Sequence, residues 1–187
     1  MSKDVALVVI DAQESFRHRP YWDEADLPGY LQRQQALVDG AVAQGIPVVQ
    51  VFHLADSGPF APDSGYIHTL EPLKISPTVT FRKYAHSALV GSGLEVWLIR
   101  HGIRRLVISG IRTEQCCETT TRHASDLGFQ VDYVTEATLT FPMTAAGGRV
   151  FTSAEIKART ELVLAERFAR IASVEEALTI RAQRAAA

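Results

Sequence analysis

Arg105-Leu-Val-Ile-Ser-Gly-Ile-Arg-Thr-Glu-Gln-Cys116 is the stretch that decides how this chain is read. Residues 105–109 are short, apolar and β-branched, the pattern of a strand buried on both faces. Residues 114–127 then read as a helix, with Glu114 near its start. A thiol therefore follows directly on a strand and sits in the first turn of a helix. Such a turn presents unpaired N–H groups and a partial positive charge. That field favours a thiolate, the reactive form of cysteine, and the same N–H groups can hold an oxyanion. One segment thus offers a nucleophile and a place for the charge it creates.

Working outward, strands and helices alternate. Residues 5–10, Val-Ala-Leu-Val-Val-Ile, form a continuous apolar run that ends at Asp11. A helix is expected over 31–44, with Leu31, Leu37, Val38, Ala41 and Val42 near one face, and Gly45 closes it. Strands are expected over 47–53, 78–82 and 130–135, and a short one at 170–172. Helices are expected over 89–101 and 153–168, the latter with Ser153 as its N-cap and Glu155 in its first turn. Ser173-Val-Glu-Glu starts a terminal helix with a capping-box pattern. Residues 54–77 carry Pro59, Pro62, Pro72 and Pro77 and read as a long irregular excursion, the kind of loop that carries function. Apolar strands alternating with helices mean a mainly parallel sheet covered on both faces, an α/β/α sandwich. Ligands bind such sheets beyond the carboxyl ends of the strands. Asp11, His53, Lys83 and the turn from Gly110 to Cys116 all fall at that rim.

The chain of 187 residues suits one domain, 1–187. A net charge of −2 gives no pull toward nucleic acid or an anionic membrane. No apolar run approaches the roughly 18 residues of a membrane span. The start, Met1-Ser-Lys-Asp, has no signal-peptide pattern and enters a strand at once. A cytoplasmic protein is expected. The two cysteines, Cys116 and Cys117, are neighbours, and two free thiols in a reducing compartment is the simpler reading. One step along a helix turns about 100°, so only one thiol can face the rim. Periodicity favours Cys117 facing the sheet.

Each candidate has a plain structural reading beside the chemical one. Cys116 is either a small buried residue or a nucleophile. Asp11 is either a turn-former or a base for the cysteine and an acid for the leaving group. Lys83, beside Arg82, reads first as a solvated charge; at the rim it would lower the thiol pKa and hold Asp11 ionised. Arg112 reads first as a surface charge, otherwise as a fork for a substrate carboxylate. His53, Asp56 and His68 form the rim-side set for a metal, but their spacing lacks a zinc pattern, and no metal is expected. No Gly-x-Ser-x-Gly elbow is present, and Gly91-Ser-Gly93 lacks the third glycine of a phosphate loop.

Three ordered motifs carry a resemblance. They are Val9-Ile-Asp-Ala-Gln-Glu-Ser-Phe16, Lys83-Tyr-Ala-His-Ser-Ala-Leu89 and Gly110-Ile-Arg-Thr-Glu-Gln-Cys-Cys-Glu-Thr-Thr-Thr-Arg-His-Ala124. They resemble the Asp-x-Gln-x-x-Phe, Lys-x-x-x-Ser-Ala-Phe and Gly-x-x-Thr-x-x-Cys-x-x-x-Thr-x-Arg-x-Ala patterns of the isochorismatase-like cysteine hydrolases, which include nicotinamidases and N-carbamoylsarcosine amidase. The resemblance runs from about Val5 to Leu178. It implies a three-layer fold with a six-stranded parallel sheet, and a homodimer or homotetramer. It places the nucleophile at Cys116 rather than Cys117, the general base at Asp11 and the third catalytic residue at Lys83. It implies an oxyanion hole from the backbone N–H groups of Arg112 and Cys116, and a cis peptide at Ile111–Arg112. Nicotinamidases carry an Asp-x-His pair for a metal; here Val51 stands at the place of that Asp, ahead of Phe52-His53. Family members that cleave isochorismate itself lack the nucleophilic cysteine.

The expectation is an amidohydrolase that cleaves a C–N bond of a small amide, ureide or carbamoyl compound through a thioester, with no cofactor. Phe16, Tyr21, Trp22, Phe52, His53 and Arg112 are the candidates for the substrate pocket, alongside ordinary core or loop packing. Two rivals are a vinyl-ether hydrolase that uses Asp11 as acid with Cys116 idle, and a non-catalytic small-molecule binding protein on the same fold.

Overall fold

The architecture, taken from a computed structural model, is described for residues 4–184, with side chains as far as Thr179. The expected strand entry from Met1 and the alanine-rich residues 185–187 lie outside them. Five long apolar or half-apolar strands and one short one build the sheet: β1 (Val5–Ile10), β2 (Val48–His53), β3 (Val79–Lys83), β4 (Arg105–Ile111), β5 (Gln130–Leu139) and, after a two-stranded hairpin of β6 (Met143–Thr144) and β7 (Val150–Phe151), β8 (Arg170–Ile171). The order across the sheet is β3-β2-β1-β4-β5-β8, and every pairing in it is parallel. β1 lies at the centre, flanked by β2 and β4, which explains its uninterrupted Ala-Leu-Val-Val-Ile run: both faces are covered.

The helices divide between the two faces. Helix α1 (Leu27–Ala43) and α5 (Val174–Arg184) cover one, packing Leu27, Tyr30, Leu37, Val38, Ala41, Val174 and Ala177 against Leu7, Val9 and Val107. Helix α2 (Leu94–Arg100), α3 (Glu118–Asp126) and α4 (Ser153–Leu164) cover the other, with Leu94, Leu98, Ala124 and Leu164 against Val8, Ile10, Val49 and Ile108. This is the three-layer α/β/α sandwich with six parallel strands. No helix among the described residues is long and apolar enough to cross a membrane.

Several boundaries differ from the sequence expectation, each for a local reason. Helix α1 begins at Leu27, with Pro28 in its first turn, where the missing N–H costs nothing; Val42 at its other end is exposed. Helix α2 begins only at Leu94, because Gly91 and Gly93 take positive φ and turn the chain first. The N-cap of α4 is Thr152 rather than Ser153: its Oγ1 accepts the Glu155 N–H at 3.2 Å, and Glu155 Oε2 accepts the Thr152 N–H at 2.8 Å. The same reciprocal pair joins Ser173 and Glu176 ahead of α5, as its sequence predicts. Strand β5 runs on to Leu139 past an irregularity in its pairing with β4, between Ile108 and Gly110.

Gly110 fixes how closely β4 can lie against β1. A Cβ there would sit 1.9 Å from the Ile10 carbonyl oxygen, and its φ of +124° lies outside the range of L side chains. The ends of β1, β2, β3 and β4 are thus drawn into one rim, and the residues that follow each strand meet there.

Candidate active site

Asp11 closes β1 in a left-handed conformation, with φ of +50°, and its N–H donates to the Val51 carbonyl at 2.8 Å. Gln13, two residues on, ties the neighbouring strand end in place. Its Oε1 accepts the His53 N–H at 2.7 Å, and its Nε2 donates to the His53 carbonyl at 3.1 Å and to Ser15 Oγ at 2.9 Å. His53 and Lys83 occupy facing positions at the ends of β2 and β3, and the Leu54 N–H donates to the Lys83 carbonyl at 2.7 Å. The Asp-x-Gln motif therefore builds a rim as well as supplying a carboxylate.

After the cis Ile111–Arg112 peptide, the chain makes one wide turn over Thr113–Cys117. It is closed by the Cys117 N–H, which donates to the Arg112 carbonyl at 3.2 Å; widened turns of this kind gather at functional sites. Thr113, Tyr133 and Thr138 hold it from below: Tyr133 Oη donates to the Thr113 carbonyl at 2.7 Å, and the Thr113 and Thr138 hydroxyls meet at 2.8 Å. Thr120 clamps it from the helix side, donating to the Cys116 carbonyl at 2.7 Å while accepting the Ala88 N–H at 2.9 Å. Glu118, buried at the start of α3, anchors that helix to α4 through Arg159 and Thr160.

At the centre is the Lys83 ammonium. It donates to Asp11 Oδ2 at 2.8 Å, to His53 Nδ1 at 3.0 Å, to the Ala85 carbonyl at 3.1 Å and to Cys116 Sγ at 3.4 Å. Asp11 is 0% exposed, Lys83 1% and Cys116 6%. Lys83 is not the solvated charge that its neighbour Arg82 suggests; the strand alternation that exposes Arg82 turns Lys83 inward. Because Nδ1 of His53 faces an ammonium, it is an acceptor, and the ring is neutral with its proton on Nε2. Burial and the Lys83 charge hold the His53 pKa down at about 4.

The charges in this pocket act on one another. Burial pushes the Asp11 carboxyl upward, an effect the Lys83 ammonium opposes without cancelling. Burial alone would lower Lys83, but the Asp11 charge carries it above the ordinary lysine value. The Cys116 thiol is raised as well, first by burial and then by the Asp11 carboxylate, which together outweigh Lys83. This overturns the expectation that the turn and Lys83 would leave a thiolate at rest. Sulfur sealed from water beside a carboxylate keeps its proton until something takes it.

The other candidates divide. Cys117 is fully buried in the apolar layer with Cys116, and both are free thiols. Phe16 is buried and meets Phe60 edge to face at 5.0 Å, and Phe60 in turn meets the His53 ring at 5.7 Å. Tyr21 and Trp22 pack on Phe141 at 5.5 and 5.3 Å. Phe52 precedes His53 on β2 and so faces the opposite side of the sheet. Arg112 is not a surface charge: it is 6% exposed, ion-paired with Glu114 at 3.0 Å and stacked over Tyr21 at 4.8 Å. With its charge answered inside the chain, it is not a free fork for a substrate carboxylate. Asp56 and His68 are exposed, and His68 Nδ1 meets the carbonyl of its neighbour Thr69.

Among the described residues, the set able to hold a metal is Asp11, His53 and Cys116, whose ligand atoms lie within 4.8 Å of one another. The Lys83 ammonium touches all of them, so the cation these groups share is already part of the chain, and they do not fit a metal as well. Sequence reasoning missed two side chains here. Phe60 lies in the irregular stretch and has no pattern to announce it. His86 occupies a variable place within the Lys83 motif, and its Nδ1 lies 3.7 Å from Cys116 Sγ.

The chain is thus a six-stranded parallel sandwich with a buried Asp–Lys–Cys cluster at the strand ends. The Isochorismatase domain profile matches residues 5–170, and the chain belongs to the isochorismatase family, whose members are hydrolases. The uncharacterized isochorismatase family protein YrdC of Bacillus subtilis (strain 168) is 26% identical over 179 residues, 94% of this chain and 95% of that one. Nicotinamidase 3 of Arabidopsis thaliana is 34% identical over 79 residues, 42% of this chain and 40% of its own. The solved structure of an isochorismatase-family protein from Chromobacterium violaceum has a TM-score of 0.87 and 26% identity, covering 98% of this chain and 96% of that one.

Proposed function

We propose that the protein is a cysteine-dependent amidohydrolase acting on a small amide, ureide or carbamoyl compound. The observation that carries this reading is the single ammonium of Lys83, in contact with both the Asp11 carboxylate and the Cys116 sulfur. Asp11 Oδ2 is taken by Lys83, while Oδ1 has no hydrogen-bond partner. A carboxylate oxygen without a partner, beside a thiol whose proton is held tightly, is a base waiting for the moment of attack. Asp11 takes the thiol proton as sulfur adds to the substrate carbonyl. The oxyanion is held by the Arg112 and Cys116 backbone N–H groups, and Asp11 returns the proton to the leaving nitrogen. Water then cleaves the thioester and frees the sulfur. Lys83 keeps the carboxylate ionised and offsets charge on the sulfur throughout. His53, Phe60 and Phe16 wall the pocket. The Nicotinamidase 3 relative supports an amide substrate.

The test is a panel of primary amides, ureides and carbamoyl compounds, with intact-mass detection of an acyl group on Cys116. Turnover and an adduct in the native chain, both lost in Cys116→Ala, support the reading. The upward shift of Asp11 favours a second reading, in which Asp11 protonates a vinyl ether and Cys116 is idle. Isochorismate turnover retained in Cys116→Ala would select it and exclude the first.

A further inference from the structure

We infer that His86 is a further catalytic residue of this site: before substrate enters, it accepts the Cys116 proton on the solvent side and exchanges it with bulk water, while Asp11 is the base during attack on the carbonyl. The inference rests on the reading of Cys116 as nucleophile. Lys83 and Asp11, the other groups that hold the sulfur, are buried, and neither can pass a proton outward. His86 is exposed, yet its Nδ1 lies 3.7 Å from Sγ, within reach of a sulfur hydrogen bond. It is held there by position rather than by a partner of its own. It sits in the turn between Lys83 and Ser87, whose hydroxyl meets His123 Nδ1 at 2.9 Å, and its ring stacks at 13° on His53, with centroids 6.1 Å apart.

The chemistry balances without any added reagent. The S–H bond of Cys116 breaks and an N–H bond forms at His86 Nδ1; the sulfur keeps the electron pair, and the imidazolium releases a proton to water. Histidine is the side chain whose ordinary titration spans neutral pH. The groups that face His86 act in both directions. The Lys83 ammonium, 3.4 Å from the same sulfur, disfavours a second cation; the Asp11 carboxylate attracts one; and His53 across the stack is neutral. A thiolate between ammonium and imidazolium has its charge compensated on two sides. The other members of the site are buried, so His86 is the outlet by which the resting thiol exchanges its proton with water.

The experiment is alkylation of Cys116 by iodoacetamide from pH 5 to 9, with the labelled residue assigned by mass spectrometry, on the native chain, His86→Ala and His86→Gln. Both variants should label at pH 7 slower than the native chain by about tenfold or more. Free imidazole should restore the rate of His86→Ala but not of His86→Gln, whose side chain fills the space. Equal rates in all three chains would overturn the role of His86 alone. Labelling confined to Cys117 in the native chain would overturn the nucleophile and this inference together.

Discussion

Replacing Lys83 with methionine keeps most of the side-chain volume and removes the charge. Asp11 then loses its ammonium at 2.8 Å, has no hydrogen bond on Oδ1 to fall back on, and is fully buried. A carboxylate so placed takes up a proton. The unfolded chain still ionises near the ordinary value of 3.8. Holding the folded carboxyl neutral at pH 7 therefore costs about 1.36 × (7 − 3.8), or about 4.4 kcal/mol, in line with the roughly 3–5 kcal/mol for removing one partner of a buried pair. His53 offers a cheaper escape, since its ring nitrogen lies within 4.8 Å of an Asp11 oxygen and its protonation at pH 7 costs under about 1 kcal/mol. The comparison is accordingly made between His53→Gln and His53→Gln/Lys83→Met. A carboxyl whose pKa is raised by folding binds more protons folded than unfolded, so its penalty grows with pH. It should fall from about 4.4 kcal/mol at pH 7 to about 1.6 kcal/mol at pH 5. Urea unfolding at the two pH values measures it, and adding Asp11→Asn should remove the difference. A penalty equal at both pH values, or below about 1.5 kcal/mol at pH 7, would refute the reasoning.

Three further outcomes follow from other parts of the fold. The His53 pKa is lowered by folding to about 4, so the unfolded chain takes up that proton first. Relative to His53→Gln, the native chain should keep its stability above pH 6.5 and lose it progressively as pH falls toward 4, as read by denaturant midpoints. Gly110→Ala, whose Cβ would meet the Ile10 carbonyl at 1.9 Å, should lose more than about 3 kcal/mol or fail to fold. Gly102→Ala, with φ of +66° and open space around it, should lose only about 1 kcal/mol; similar losses in urea unfolding would show that β1 yields freely. Thr152→Ala should cost about 1 kcal/mol through the lost cap of α4, and Ser153→Ala markedly less; the reverse order would return the cap to Ser153.

The layers of the fold are legible in the sequence because the apolar runs are short and β-branched, and β1, β3 and β4 each lead on to a helix. What sequence hid depends on contacts made at long range. Arg112 reads as a surface charge until Tyr21 and Phe141, distant in the chain, are seen to enclose it with Glu114. Pairwise spacing places Asp11, Lys83 and Cys116 at strand ends, but not how deeply they sit, and depth decides the sign of the shift on the thiol. A helix-start argument weighs only the local field, whereas burial acts on the whole group. The late start of α2 was written in Gly91 and Gly93, which a periodicity count over 89–101 passes over. Phe60 and His86 lie in stretches without periodicity, so nothing local gives their direction.

The Lys83 ammonium has three hydrogens and four acceptors around it: Asp11, His53, the Ala85 carbonyl and Cys116. No orientation of the group satisfies all four at once. The deficit leaves several arrangements of nearly equal energy, separated only by rotation about the last C–N bond. When charge appears on the sulfur, a hydrogen can swing toward it while no heavy atom moves, and when the charge leaves, it swings back. A site short of one donor is in this way softer in its protons than in its atoms, and it meets successive charge distributions with one fixed scaffold.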